Sequence, residues 1–354
     1  MSRLIQCLTI MAFLLATTTA CTIPTETNSV VDIPVTSPAV ATLPLLPAED
    51  PPAGDGVTAS PEPAAVSPEP FPSAQVPVSA PLAERISAAV ATAAADRGAD
   101  VSIAVLDRAT GNYLADTDAD TEPVEAASLA KLFIAAQMYH LDALGERPLS
   151  DYDRLLLARM LESSDDDAAN TLWDDLGGPD LVVDVAGRYG LAATTPPWDG
   201  LWWNTETTAA DLVMFYAGLL GDRDGLGEGR IAEFVSYLRS STPEGIDGYD
   251  QRFGLPDGLP GETVLGVKQG WMCCVGDRWI HVSTGVIGAD NRYIVAVASR
   301  EDIRYEDDEE SYPDTAITDV TEDSSAQHAR ETMTGLVKSV FPAGVVDDWA
   351  QPQG

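Results

Sequence analysis

Lysine is nearly missing from this chain. Three stand among 354 residues, at Lys131, Lys268 and Lys338, and with the arginines they make 20 basic side chains against 56 acidic ones. A formal charge of −36 argues against a nucleic-acid partner, because phosphate binding needs clustered Lys and Arg. Histidine is equally sparse. His140, His281 and His328 are isolated, no Cys-x-x-Cys occurs, and neither a metal site nor a cofactor is expected. Between residues 22 and 80 there is no lysine or arginine and a single aromatic, Phe71. Such a Pro/Ala/Thr-rich stretch buries too little apolar surface to offset its ordering entropy, so an extended tether is expected there.

Ahead of the tether, residues 1–20 carry one basic residue, Arg3, then an apolar run and a small-residue end. That pattern is a secretory leader, too short and wrongly flanked to span a membrane. It stops at Cys21, and the "TTAC" junction resembles a bacterial lipobox, with Thr18 where Leu or Val is usual. The resemblance implies that Cys21 carries lipid and anchors an exported protein to the cell membrane, facing the cell wall. Removing Cys7 with the leader leaves Cys273 and Cys274 as the only cysteines of the folded part. Neighbouring cysteines can form a ring disulfide or stay as thiols. Regular strand geometry turns adjacent side chains to opposite faces, which favours thiols here.

The globular part is expected over residues 81–345, with a short tail at 346–354. Helical spacing ending at Gly98 is followed by a two-strand hairpin around "DRATGN". A helical block runs from Ser128 to about residue 240, interrupted by "ATTPPWDGLWWNTE", and three strand-like runs and an amphipathic helix close the chain. The order predicts an α+β fold. Five antiparallel strands form one sheet, flanked by the N- and C-terminal helices, with an all-helical subdomain inserted. Acidic runs such as "RYEDDEESYPD" read as solvated loops.

Two of the three lysines fall in telling places. Ser128 and Lys131 are three residues apart at the head of an apolar helix, so both side chains reach one side of it. A lysine whose ammonium is destabilised can take a proton from a serine, and a second cation, Lys268, is suited to destabilise it. The ordinary reading is a serine helix cap beside a solvated lysine. Two further stretches change the balance: "SSDDDAAN" at 163–170 and "VKQGW" at 267–271.

In this order and spacing the three elements resemble the penicillin-recognising serine enzymes, the β-lactamases and D,D-peptidases. Within that group the "VKQGWMCC" run and the Trp-rich loop are most similar to actinobacterial β-lactamase-like secreted lipoproteins. The resemblance implies Ser128 as nucleophile, Lys131 as its base and Ser164 as proton relay to the leaving group. Lys268, Gln269, Gly270, Trp271 and Asp166 would line the substrate cleft, with the Ser128 and Trp271 N–H groups as oxyanion hole.

The chain departs from the family pattern in three places. Asp166 replaces an Asn and should hold Lys131 protonated, and Gln269 replaces a hydroxyl residue. The 191–208 loop lacks the Glu-x-x-Leu-Asn motif that serves deacylation, and Glu206 sits too near the next helix to replace it. Trp198, Trp202 and Trp203 read as a loop pinned by buried aromatics, or as a groove for a glycan or peptide. Two functions remain open. One is an envelope acyl-transfer enzyme acting on a β-lactam, a cell-wall peptide or a related amide or ester. The other is a catalytically impaired lipoprotein that binds or scaffolds.

Overall fold

A computed structural model describes residues 80–304 and 324–346. The leader, Cys21, the tether, nearly all of the acidic run and the end of the tail lie outside the described residues. The described residues all belong to one unit of the chain. None of their helices is long and apolar enough to cross a membrane.

The elements are α1 (Leu82–Arg97), β1 (Ala99–Asp107), β2 (Asn112–Ala115), β3 (Val124–Glu125), α2 (Ala130–Leu144), α3 (Asp151–Glu162), α4 (Asp166–Asp175) and α5 (Pro179–Tyr189). They continue with β4 (Glu206–Thr207), α6 (Ala209–Leu220), α7 (Glu228–Arg239), α8 (Leu255–Gly258), β5 (Leu265–Met272), β6 (Arg278–Ile287), β7 (Tyr293–Asp302) and α9 (Ser324–Val340). Five strands form an antiparallel sheet in the order β2-β1-β7-β6-β5, and β3 pairs with β4 separately. The expected fold class is the observed one.

Local chemistry sets several of these boundaries. Gly98 adopts φ 65° and sends its N–H back to Ala93 O, which stops α1 one residue before β1. Ser150 and Asp153 form a reciprocal capping box at α3, while Asp165 and Thr208 cap α4 and α6 through their side-chain oxygens. Period-two alternation then divides the sheet between two cores. Ile294, Ala296 and Ala298 of β7 join the core shared with the helical block, and Val295 and Val297 join the core under α1 and α9. Helices cover both faces, so β6 and β7 are buried almost throughout.

The cysteine expectation is corrected. Cys273 and Cys274 are joined by a disulfide across a cis peptide bond, and both are fully buried. The preference for thiols assumed that the pair lies within a strand. Instead β5 ends at Met272, so no ladder pairing is lost by closing the ring just beyond it.

Candidate active site

The serine does not sit on the helix itself. Ala127–Leu129 form a 3₁₀ turn that leads into α2, and Ser128 lies at its centre, 7% exposed. Ala127, just before it, has φ 46°, a conformation non-glycine residues seldom adopt. Strand β5 runs directly against this turn. A Cβ on Gly270 would come within 2.9 Å of Ala126 O and 3.2 Å of Ser128 N, so only glycine permits the approach. β5 is also the edge strand of the sheet, so alternate backbone N–H groups on its outer side have no strand partner. Gly270 thus belongs to the junction between the Ser128 turn and the edge strand.

Lys131 is fully buried. Its Nζ lies 2.7 Å from Ser128 Oγ, 2.7 Å from Ser164 O and 2.5 Å from Asp166 Oδ1. A carbonyl and a carboxylate can only accept. A neutral lysine therefore gives its two protons to those groups, leaving its lone pair toward Ser128 Oγ. That is the orientation a general base needs.

Two opposing causes act on this amine. Burial pushes the Lys131 ammonium below the ordinary lysine range, and the Asp166 carboxylate pulls it back up. The sequence reading gave the lowering to Lys268; burial is its main cause. Lys268 is itself driven well down by burial and then by the Lys131 charge.

Ser164 lies between α3 and α4 at φ 54°. Its Oγ accepts a hydrogen bond from Lys268 Nζ, which also donates to Gln269 O at 2.8 Å. Ser128, Lys131, Ser164 and Lys268 are thus connected through their polar atoms. Asp166 opens α4 with its side chain 40% exposed, near the positive end of the helix dipole. Its neighbour Asp165 is used structurally, capping Ala168 N at 3.0 Å and pairing with Arg159.

Gln269 is not brought to the serine. It is fully buried, and its amide donates to Phe253 O. The alternation that sends Lys268 toward Ser164 sends its neighbour to the other face. Trp271 does reach the cleft, held by a stack on Tyr249 with ring centroids 4.8 Å apart and 8° between planes. His281 accepts or donates one bond to Tyr249 Oη at 2.7 Å, and burial holds its pKa down to about 3. Burial thus keeps this imidazole neutral, with Tyr249 as its hydrogen-bond partner.

The three loop tryptophans have separate fates. Trp198 is 85% exposed and Trp202 3%. Trp202 places its ring centroid 4.6 Å from Lys131 Nζ and donates to Asn170 Oδ1 at 2.8 Å. It and Trp203 are what this loop contributes to the wall over Ser128. Glu206 pairs in β4 with Glu125 and accepts from Thr195 Oγ1 at 3.3 Å, outside that wall. Sequence reasoning missed Asp247. It follows Ile246, whose N–H is anchored on Ser163 O at 2.8 Å, and lines the pocket with Asp166, Trp202, Trp203, Trp271, Met272, Ala127 and Ser128. The open volume is about 20 Å³, room for little more than a water-sized group.

No family model matches the chain. A protein of Mycobacterium tuberculosis (strain H37Rv), named "Putative lipoprotein LppW", is 46% identical over 251 residues, spanning 71% of this chain and 72% of its own. Its Mycobacterium bovis counterpart gives the same figures. The chain belongs to the LppW family.

Among solved structures, a β-lactamase from Xanthomonas campestris superimposes with a TM-score of 0.56 at 16% identity, covering 74% of this chain and 98% of its own. A β-lactamase from Chitinophaga pinensis gives 0.55 at 12% identity, covering 75% and 99%. The LppW-family chain therefore has the β-lactamase fold, as the motif resemblance implied. At these identities the likeness concerns architecture alone.

Proposed function

We propose that this protein is an exported, lipid-anchored serine hydrolase or acyltransferase of the cell envelope, with Ser128 as nucleophile. The observation that carries the reading is the 2.7 Å contact between Lys131 Nζ and Ser128 Oγ inside a buried, fully partnered cluster. The lipoprotein name of the mycobacterial relatives supports Cys21 as the anchor. Its substrate class is a β-lactam, a cell-wall peptide or a related amide or ester.

In this reading Lys131 takes the Ser128 proton as Oγ attacks the carbonyl carbon. The Ser128 and Trp271 N–H groups receive the developing oxyanion. Ser164, oriented by Lys268, passes a proton to the leaving nitrogen or oxygen as the bond to that atom breaks, and is reprotonated by the Lys131 ammonium, which carries the proton taken from Ser128. Release of the acyl group is slow, because the loop that would supply a water-activating carboxylate presents Trp202 to Lys131 instead. The second reading, a binding module without turnover, draws on the 2.5 Å Asp166–Lys131 pair, which favours the ammonium.

The test is a chromogenic ester under pre-steady-state conditions. One equivalent of leaving group should appear rapidly, followed by a much slower phase. The absence of a burst, with the chain folded, would favour the binding module.

A further inference from the structure

The walls of the Ser128 pocket have a chemistry that the acyl-transfer reading does not require. Two carboxylates, Asp166 and Asp247, face it together with the indoles of Trp202, Trp203 and Trp271. Asp247 is held in place by its own backbone: Oδ1 accepts the Tyr249 N–H at 3.0 Å, an Asx turn that fixes the side chain at the rim. Its second oxygen makes no hydrogen bond within the described residues. Carboxylates beside aromatic faces are the surroundings that favour an ammonium group, through charge attraction and cation–π contact.

The groups that would receive a substrate carboxylate are engaged elsewhere. Lys268 Nζ donates to Ser164 Oγ and Gln269 O, and it is 1% exposed. Gln269 donates to Phe253 O on the far side of the strand. The chain's formal charge of −36 adds a field that draws cations in and holds anions away.

We infer that the Ser128 site selects acyl donors that carry a free ammonium group, and that Asp247, with Asp166, is the selecting side chain. This rests on the acyl-transfer reading. The donor is an amide or ester with an amine near the carbonyl. Ser128 Oγ forms the new ester bond, the bond to the leaving nitrogen or oxygen breaks, and the serine proton passes by way of Lys131 to the leaving atom. The ammonium stays protonated throughout, held at the rim.

Three aryl esters of equal length test it, ending in an ammonium, a neutral methyl and a carboxylate, with Ser128 acylation followed by intact mass. The ammonium ester should acylate about tenfold faster than the carboxylate ester. That ratio should shrink with salt and fall most of the way toward unity in Asp247→Asn. Equal rates, a faster carboxylate ester, or a ratio unchanged in Asp247→Asn would overturn the inference while leaving acyl transfer standing. If no ester acylates, the acyl-transfer reading fails, and a second measurement still decides the pocket's preference. Butylammonium and butyrate are titrated into the Ser128→Ala protein and the indole N–H signals followed by NMR. Shifts with butylammonium alone support a cation site; shifts with butyrate alone, or with neither, contradict it.

Discussion

Replacing Lys131 with methionine should lower the rate of Ser128 acylation by about 10²–10⁴-fold, the range a positioned general base supplies. Lys131 is the only side-chain nitrogen among the described residues within hydrogen-bond distance of Ser128 Oγ, so no neighbour can take the proton in its place. Methionine has similar length and suits a fully buried position. Its partner Asp166 is 40% exposed and keeps water as an alternative partner, so the variant leaves no sealed unpaired charge. The variant should therefore remain folded by circular dichroism and thermal melting. Acylation within a few-fold of the parent rate would show that lysine is not the base.

Asp166→Asn should move acylation the other way. The carboxylate 2.5 Å from Lys131 Nζ stabilises the ammonium, while burial opposes it. Removing the charge takes away the largest influence opposing burial, leaving only the weaker pull of Asp247 and Asp165, so the lysine pKa falls further and more of the free amine exists near neutral pH. The fraction of Lys131 present as the free amine, and with it the acylation rate near neutral pH, should therefore be higher in the variant than in the parent. The pH–rate curve carries the sign. Acylation should rise with pH as Lys131 loses its proton, and the midpoint should lie lower in Asp166→Asn than in the parent. An unchanged midpoint would mean that Asp166 does not restrain the base.

The residues that sequence reading found are those whose spacing is local. Ser128 and Lys131 are three residues apart across the turn that leads into α2, and Ser164 lies in an uninterrupted motif, so short-range sequence patterns pick them out without knowledge of the rest. The sheet was legible for a related reason, since alternation in β6 and β7 and turn residues between β1 and β2 are short-range signals. Asp247 carries no such signal. It enters the site because the 245–248 turn docks on Ser163, a tertiary event. Trp202 is similar: a tryptophan in a loop reads as packing, and only the fold brings it over Lys131.

Gln269 and the cysteine pair were misjudged over a single residue of geometry. Gln269 follows a lysine that does face the serine, and strand alternation sends it away. Cys273 begins one residue after β5 ends, where the constraint that favoured thiols no longer acts. Burial of Lys131 was equally invisible. Its depressed pKa comes from the core around α2, and no spacing rule reports that.

The central claim is that Ser128, activated by Lys131, is a working nucleophile. It is tested most directly by incubating the protein with a fluorophosphonate, digesting it and locating the added mass by tandem mass spectrometry. One adduct per chain, on the peptide containing Ser128 and lost in Ser128→Ala, is the expected result. A chain that stays unmodified, or one labelled equally well in Ser128→Ala, would contradict the account.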